Sequence, residues 1–137
     1  PARHRHPGLE HGLDAERRGA LITRFQSRLA HPGEAIITEG EHAPGLFIVL
    51  DGRVQVSVQR RLEPQLLTHL REGDVFGEIS LVRGTPATAT CTAVRRTMLM
   101  WLPSASFAEL SNSYPRVVEA IAELGEYRLL DSLYTLA

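Results

Sequence analysis

From residue 33 to residue 102, short apolar segments alternate with turn residues, and this alternation limits the available folds more than any other feature of the chain. Such segments are too short for buried helices and suit the strands of an antiparallel sandwich or barrel. Asp51-Gly52 separates two of the segments, and this dipeptide favours a two-residue hairpin with positive φ. The predicted strands are Ala35–Thr38, Gly45–Leu50, Val54–Gln59, Gln65–Leu70, Val75–Phe76, Ala89–Val94 and Met98–Leu102.

A helix is predicted before these strands. Asp14 is a suitable N-cap, and the apolar residues that follow it recur at helical spacing. The predicted helix covers residues 15–27, and the breaker His31-Pro32-Gly33 follows it. Residues 1–13 are rich in His, Arg, Pro and Gly without periodicity, so we expect a loose lead-in there.

Helical spacing returns after the last predicted strand. An apolar stripe extends from Val117 to Leu133, and Pro115 suits the first position of a helix, so helices are predicted over residues 104–136. The chain has 137 residues and a hydrophobic fraction of 43%, which suits one domain over residues 14–137. The predicted fold class is therefore mainly β, with helices on both sides of the strands.

Composition narrows the classes of function. A formal net charge of -1 gives no broad positive field, so direct binding to nucleic acid is not expected. No stretch approaches the roughly 20 apolar residues of a bilayer-spanning helix, so we expect no membrane contact within this chain. The single cysteine excludes an intramolecular disulfide, and no secretory leader is recognisable, which favours a cytoplasmic location. Because the chain begins at Pro1 rather than Met, a fragment of a longer protein is one interpretation.

Segment 76–81 carries the strongest functional signal. It reads Phe-Gly-Glu-Ile-Ser-Leu and is followed by Thr-Pro-Ala-Thr-Ala-Thr at 85–90. Gly77 allows the backbone to approach a ligand, and a helical turn from Glu78 would leave the N–H groups of the next two residues without helical acceptors. The Glu78 carboxylate suits a hydrogen bond from a ribose hydroxyl. Backbone N–H groups that could bind a phosphate would thus lie beside a carboxylate that could accept a hydrogen bond from a sugar. This combination predicts a nucleotide-binding site.

Residues 76–90 resemble the phosphate-binding cassette of the cyclic nucleotide-binding domain family, and the similarity extends over most of the chain. The resemblance implies an antiparallel β-roll of the jelly-roll type, a double-stranded β-helix, over residues 33–102. It also implies a regulatory domain with cAMP or cGMP as ligand, no further cofactor, no metal and no catalytic residues. The implied ligand-binding residues are Gly77, Glu78, Ile79, Ser80, Ala87, Thr88 and Ala89.

Position 87 departs from the family pattern. The family has an arginine there that pairs with the cyclic phosphate, whereas this sequence has Ala87. A charge-assisted pair contributes about 1.5–3 kcal/mol, so we expect weaker binding. Arg83 lies on the same cassette and is the candidate for replacing the missing cation. A hydroxyl at position 88, here Thr88, is associated in similar domains with preference for guanine.

The C-terminal helix closes over the base in the family, which implies a lid in this chain. Tyr127, Arg128 and Leu130 are the candidate lid residues, and ordinary core or surface roles are the alternative. Movement of this helix would relay ligand binding to a fused or separate effector. The alternative function follows from Ala87: a degenerate domain without nucleotide binding, which serves as a docking module or forms a homodimer through the C-terminal helix.

Catalysis has little support in the sequence. Ser80 and Glu78 are neighbours, but no nucleophile and base can be placed in one cleft, so an enzyme is not expected. Cys91 falls within a predicted strand, which indicates a buried, inert thiol. Trp101 ends the last predicted strand and is expected to pack against the helices.

Histidines raise one further alternative, a metal-binding cupin, which would also be a small β-barrel. Its metal ligands would have to lie on strands and converge inside the barrel. His4, His6 and His11 precede the predicted strands instead, and His69 alone lies on one. Solvated histidines are therefore the preferred interpretation.

Overall fold

The computed structural model describes residues 23–116, which contain eight strands and two complete helices. Helix α1, Glu78–Arg83, lies between β6 and β7, and helix α2, Ser104–Ser113, follows β8. The strands are β1 Gln26–Ala30, β2 Ala35–Ile37, β3 Gly45–Asp51, β4 Val54–Arg60, β5 Glu63–Leu70, β6 Val75–Phe76, β7 Thr90–Ala93 and β8 Thr97–Pro103.

The strands form two four-stranded antiparallel sheets that enclose a common core. The first sheet has the order β1-β8-β3-β6, and the second has the order β2-β7-β4-β5. The chain crosses between the sheets at nearly every connection, and only β4 and β5 are consecutive neighbours in one sheet. This is the predicted β-roll, and its mainly β fold class is confirmed.

The inner core lies between the two sheets. Phe47 of β3 and Val54 of β4 are fully buried and belong to one apolar cluster that draws on both sheets. Phe47 stacks on Phe76 with ring centroids 5.1 Å apart, and on Trp101 at 6.3 Å. The Trp101 indole N–H donates to the Pro44 carbonyl at 3.1 Å. Trp101 is half-buried and packs against this cluster, whereas most of the C-terminal helical region against which it was expected to pack lies outside the described residues.

A second apolar cluster forms where α2 meets the first sheet. Leu46 of β3 and Leu102 of β8 are register partners, and they cluster with Phe107 and Leu110 of α2. The two α2 residues are three apart and therefore share a face of the helix. None of the helices within residues 23–116 has the length and hydropathy that a bilayer-spanning helix requires.

The N-terminal boundary of the roll differs from the prediction. Thr23 and Arg24 are helical, but the predicted helix over 15–27 is wrong at its end, because Gln26 and Ser27 belong to β1. β1 pairs with β8 along its whole length, from Gln26 opposite Trp101 onward. The roll therefore begins at residue 26 rather than 33. Residues 15–22 of the predicted helix lie outside the described residues.

Asp51-Gly52 does not form the predicted hairpin. β3 belongs to the first sheet and β4 to the second, so this turn carries the chain between sheets. Gly52 has the expected positive φ, 139°, and a Cβ there would overlap Thr97. The hairpin of this region joins β4 to β5 and turns at Arg61-Leu62. Asp51-Gly52 thus allows a tight turn, but β3 and β4 are buried on opposite sides of the core and therefore pair with other strands.

The C-terminal helical region is described only in part. α2 falls within the predicted helices over 104–136, and Pro115 and Arg116 are again helical after a break at Tyr114. Residues 117–136 lie outside the described residues.

Candidate functional site

Gly77 turns the chain from β6 directly into α1. It caps the helix in the left-handed region, with φ 90° and ψ -9°. A Cβ at this position would lie 2.5 Å from the carbonyl oxygen of Gly45 at the start of β3. Glycine is therefore required for its backbone conformation and for the close approach of α1 to β3.

Glu78, the first residue of α1, is buried and only 4% exposed. Its carboxylate lies close enough to Cys91 of β7 to act on the thiol. Burial first, and then the negative charge of Glu78, raise the pKa of Cys91 to about 12. The predicted burial of Cys91 is confirmed, and a thiol with this pKa stays protonated at neutral pH. Glu78 is thus directed towards the interior of the roll.

Ile79 and Ser80 complete the first turn of α1. In the part of the chain that the structure describes, no side chain caps this end of the helix. N–H groups in a first helical turn have no acceptor within the helix. Ser80 is buried, and its hydroxyl lies 3.5 Å from the Gly77 carbonyl oxygen. A small, buried side chain here keeps the first turn close to the core, with backbone donors beside Glu78.

Ala87 lies on the segment that returns the chain from α1 to β7. Its N–H donates to the Glu41 carbonyl at 2.8 Å, and its carbonyl accepts from the Gly40 N–H at 2.8 Å. The residue is buried and belongs to the inner core cluster with Phe76. Both backbone polar groups of Ala87 are therefore engaged by the loop after β2, and its side chain adds no polar atom.

The start of β7 is anchored by bonds that the sequence did not indicate. Thr90 Oγ1 accepts the Glu39 N–H at 3.0 Å, and Glu39 Oε1 accepts the Gln59 N–H at 2.9 Å. These bonds join the end of β2 to β4 and β7. Thr88 is exposed and Ala89 half-buried just before this anchor. The three anchoring residues are far apart along the chain, so only the sheet topology brings them together.

The predicted site residues occupy two adjoining segments. One runs from the end of β6 into α1, and the other returns to β7. The residues placed on these segments are Gly77, Glu78, Ile79, Ser80, Ala87, Thr88 and Ala89. Arg83 is exposed in the last turn of α1, at the opposite end of the helix from Glu78.

Other predicted residues fall elsewhere. His69 is half-buried on β5. Within residues 23–116, no cluster of three or more His, Cys, Asp or Glu side chains could hold a metal ion. The residues that lie outside the described part are the lid candidates Tyr127, Arg128 and Leu130 and the histidines His4, His6 and His11.

A family model matches most of the described chain. The model of the cyclic nucleotide-binding domain covers residues 27–114, more than half of the 137 residues. The chain belongs to the cyclic nucleotide-binding domain family. The β6–α1 segment and the return to β7, for which the sequence predicts the phosphate-binding cassette, lie within the matched residues.

Relatives and solved structures agree with this assignment. The chain is 32% identical over 98 residues to a cAMP-dependent protein kinase regulatory subunit of Yarrowia lipolytica, covering 72% of this chain and 26% of the relative. It is 31% identical over 101 residues to a cyclic nucleotide-gated potassium channel of Rhizobium etli, covering 74% and 27%. The Thermus thermophilus catabolite activator protein matches with TM-score 0.76 and 29% identity, over 94% of this chain and 61% of that one. The chain thus spans about a quarter of the length of these two curated relatives.

Proposed function

We propose that this chain is a ligand-sensing regulatory domain that binds a cyclic nucleotide, cAMP or cGMP, at the cassette. Membership of the family supports this class of ligand. The observation that carries the proposal is the inward-directed Glu78 carboxylate, 4% exposed, directly after the left-handed Gly77. Glu78 would accept a ribose hydroxyl, while the N–H groups of Ile79 and Ser80 would face the phosphate.

We infer that Ala87 stands where relatives have the arginine that pairs with the phosphate. A charge-assisted hydrogen bond contributes about 1.5–3 kcal/mol to binding. Its loss therefore raises the dissociation constant roughly tenfold to hundredfold. Arg83 would have to cross from the far end of α1 to compensate. We therefore expect micromolar or weaker binding of cyclic nucleotides.

The proposed response is a movement of the C-terminal helix over the bound base. Tyr127, Arg128 and Leu130 would form this lid, and the movement would pass to a fused or separate effector. Two relatives are a kinase regulatory subunit and a channel, each about four times as long as the segment that matches. A non-enzymatic sensor in the cytoplasm fits this arrangement.

Calorimetry with cAMP and cGMP tests the proposal. Glu78→Gln should weaken binding at least about tenfold, because the amide is a poorer acceptor than a carboxylate. Glu63→Gln is the matched control, since it makes the same chemical change on the exposed β4–β5 hairpin. Absence of heat at millimolar ligand, or equal affinities for the two variants, would contradict the proposal.

A second candidate function is a domain that keeps the fold and serves in docking or homodimer formation. The observation in its favour is Ala87, whose side chain adds no cation and whose backbone groups are both bound by residues 40 and 41. Under this alternative the unmodified chain binds no cyclic nucleotide and Ala87→Arg creates binding. Light scattering at several concentrations would then show a dimer that ligand does not affect.

A further inference from the structure

We propose that, without ligand, the apolar segment 117–133 of this chain docks on an uncovered face of the first sheet. This outer face consists of outward side chains that adjoin one another across β1, β8 and β3: Leu29, Ile48, Leu50, Met98 and Met100. The inference goes beyond the proposed function, because it concerns where the segment lies when no nucleotide is present.

Strands β3 and β8 carry apolar side chains on both sides of the first sheet. Leu46–Leu50 and Met98–Leu102 are each five consecutive apolar residues. Successive side chains of a strand point to opposite faces, and Phe47 and Leu99 belong to the inner core, so their neighbours point outward. A sheet face in water normally carries polar side chains, whereas a continuous apolar run is typical of a strand that is buried on both faces.

The second sheet has a different pattern. β4 reads Val-Gln-Val-Ser-Val-Gln over residues 54–59, and β7 reads Thr-Cys-Thr-Ala. Val54, Cys91 and Ala93 belong to the inner core, so the polar residues that alternate with them point away from it. Of the two sheets, the first therefore has the outer surface that requires an apolar cover.

Helix α2 covers one end of that surface. It packs on Leu46 and Leu102, which are register partners at one end of β3 and β8. Towards the other end of these strands, Leu50 is 47% exposed and Met98 is 36% exposed. Apolar surface of the sheet therefore extends beyond the residues that α2 contacts.

The C-terminal segment starts beside this surface and carries a matching apolar stripe. Tyr114 packs against the α2 cluster, and the next two residues are again helical. Val117, Ile121 and Leu124 then follow with spacings of four and three residues, which is typical of an amphipathic helix. A helix over residues 117–133 would be about 25 Å long, whereas five residues of a strand extend over about 17 Å. The segment is therefore long enough, and apolar enough, to cover the outer face.

Hydrogen exchange of the ligand-free 137-residue chain, measured by mass spectrometry, tests the docking. Leu50→Asp places a charge on the outer face, so exchange over residues 117–133 should become about tenfold or more faster. Leu66→Asp is the matched control, because Leu66 is also 47% exposed but lies on β5 of the second sheet. It should leave the exchange of the segment unchanged. Slow exchange of β4 in both variants shows that the roll is folded.

Methionine oxidation provides a second readout, from the outer face itself. Met98 and Met100 are the two methionines of the chain. Ile121→Asp should release the segment and speed the oxidation of Met98 by dilute hydrogen peroxide several-fold, because oxidation follows exposure. Ala120→Asp is the control, since adjacent residues of a helix point about 100° apart, and it should have a smaller effect. This pair decides the question if Leu50→Asp does not fold.

Three results would overturn the inference. The first is equal exchange of the segment in the unmodified chain and Leu50→Asp, or an equal effect of Leu66→Asp. The second is equal oxidation of Met98 in Ile121→Asp and Ala120→Asp. The third is exchange that becomes faster on dilution of a dimer seen by light scattering, because a second copy would then cover the face. No nucleotide is present in these experiments, so their failure leaves the proposed function untouched, and absence of nucleotide binding leaves the docking untouched.

Discussion

Gly77→Ala tests the proposed reason for glycine between β6 and α1, and Gly73→Ala provides a closely matched comparison. The two glycines have nearly the same backbone conformation, with φ of 90° and 89°. Each substitution places a side chain in the left-handed region, at a cost of about 1–2 kcal/mol. Nothing lies within 4 Å of a Cβ at Gly73, whereas a Cβ at Gly77 would lie 2.5 Å from the Gly45 carbonyl oxygen.

That oxygen belongs to the backbone of β3, so the contact can be relieved only by moving α1 or the strand. Overpacking of this kind costs about a further 1–3 kcal/mol. We therefore expect Gly73→Ala to lose about 1–2 kcal/mol and Gly77→Ala about 2–5 kcal/mol in free energy of unfolding. Urea denaturation followed by the single tryptophan, Trp101, measures both losses.

A displaced α1 should also expose the Cys91 thiol, because the Glu78 carboxylate of α1 lies close enough to raise the pKa of that thiol. We therefore expect the thiol of Cys91 to be alkylated faster in folded Gly77→Ala than in folded Gly73→Ala. The two rates are compared under conditions that give both variants the same free energy of unfolding. Equal losses of stability in the two variants would refute the steric explanation. Glycine would then be needed at position 77 only for its backbone conformation.

Three further predictions concern the core, the buried thiol and an ion pair. Leu99→Ala should lower the free energy of unfolding by about 2–5 kcal/mol, because Leu99 is fully buried. Leu62 is 97% exposed, so Leu62→Ala should change it by less than about 0.5 kcal/mol. Thermal denaturation measures both changes, and equal losses would contradict the difference in burial. Cys91 should react with iodoacetamide at pH 8 far more slowly in the native chain than in urea, and equal rates would contradict a pKa of about 12. The His31 backbone N–H, and then Arg28, lower the pKa of Glu34 below 4.5, so its stabilising effect is complete above that pH and is lost as the pH falls through the folded pKa. The stability difference between the unmodified chain and Glu34→Gln should therefore shrink in acid, and a constant difference from pH 7 to pH 3 would contradict this.

Much of the roll could be predicted because its strands are short, apolar and separated by turn residues. The seven predicted strands each match one strand of the structure, with ends that shift by a few residues. β1 was missed because Phe25 and Leu29 are four residues apart and mimic the face of a helix. Local spacing is ambiguous over so short a segment, and the ladder to β8 determines its conformation.

A cassette could be predicted at residues 76–90 because these residues are contiguous and their chemistry is specific. Its surroundings could not, since Glu39 in the loop after β2 and Gln59 of β4 are distant in the chain from Thr90, and only the sheet topology joins them. The same limit applies to Asp51-Gly52, where local chemistry predicted the positive φ and the sheets decided which strands pair.

The amino-acid sequence alone therefore determined the class of fold and the family, because each depends on neighbouring residues or on simple periodicity, and it predicts the position of the cassette. Tertiary structure decided the burial of Glu78, the capture of the Ala87 backbone by residues 40 and 41, and the exposure of Arg83. These properties depend on contacts between residues distant in the chain. Burial sets how strongly a charge interacts with its neighbours, so the electrostatic environment of Glu78 is a property of the folded roll and cannot be read from the motif.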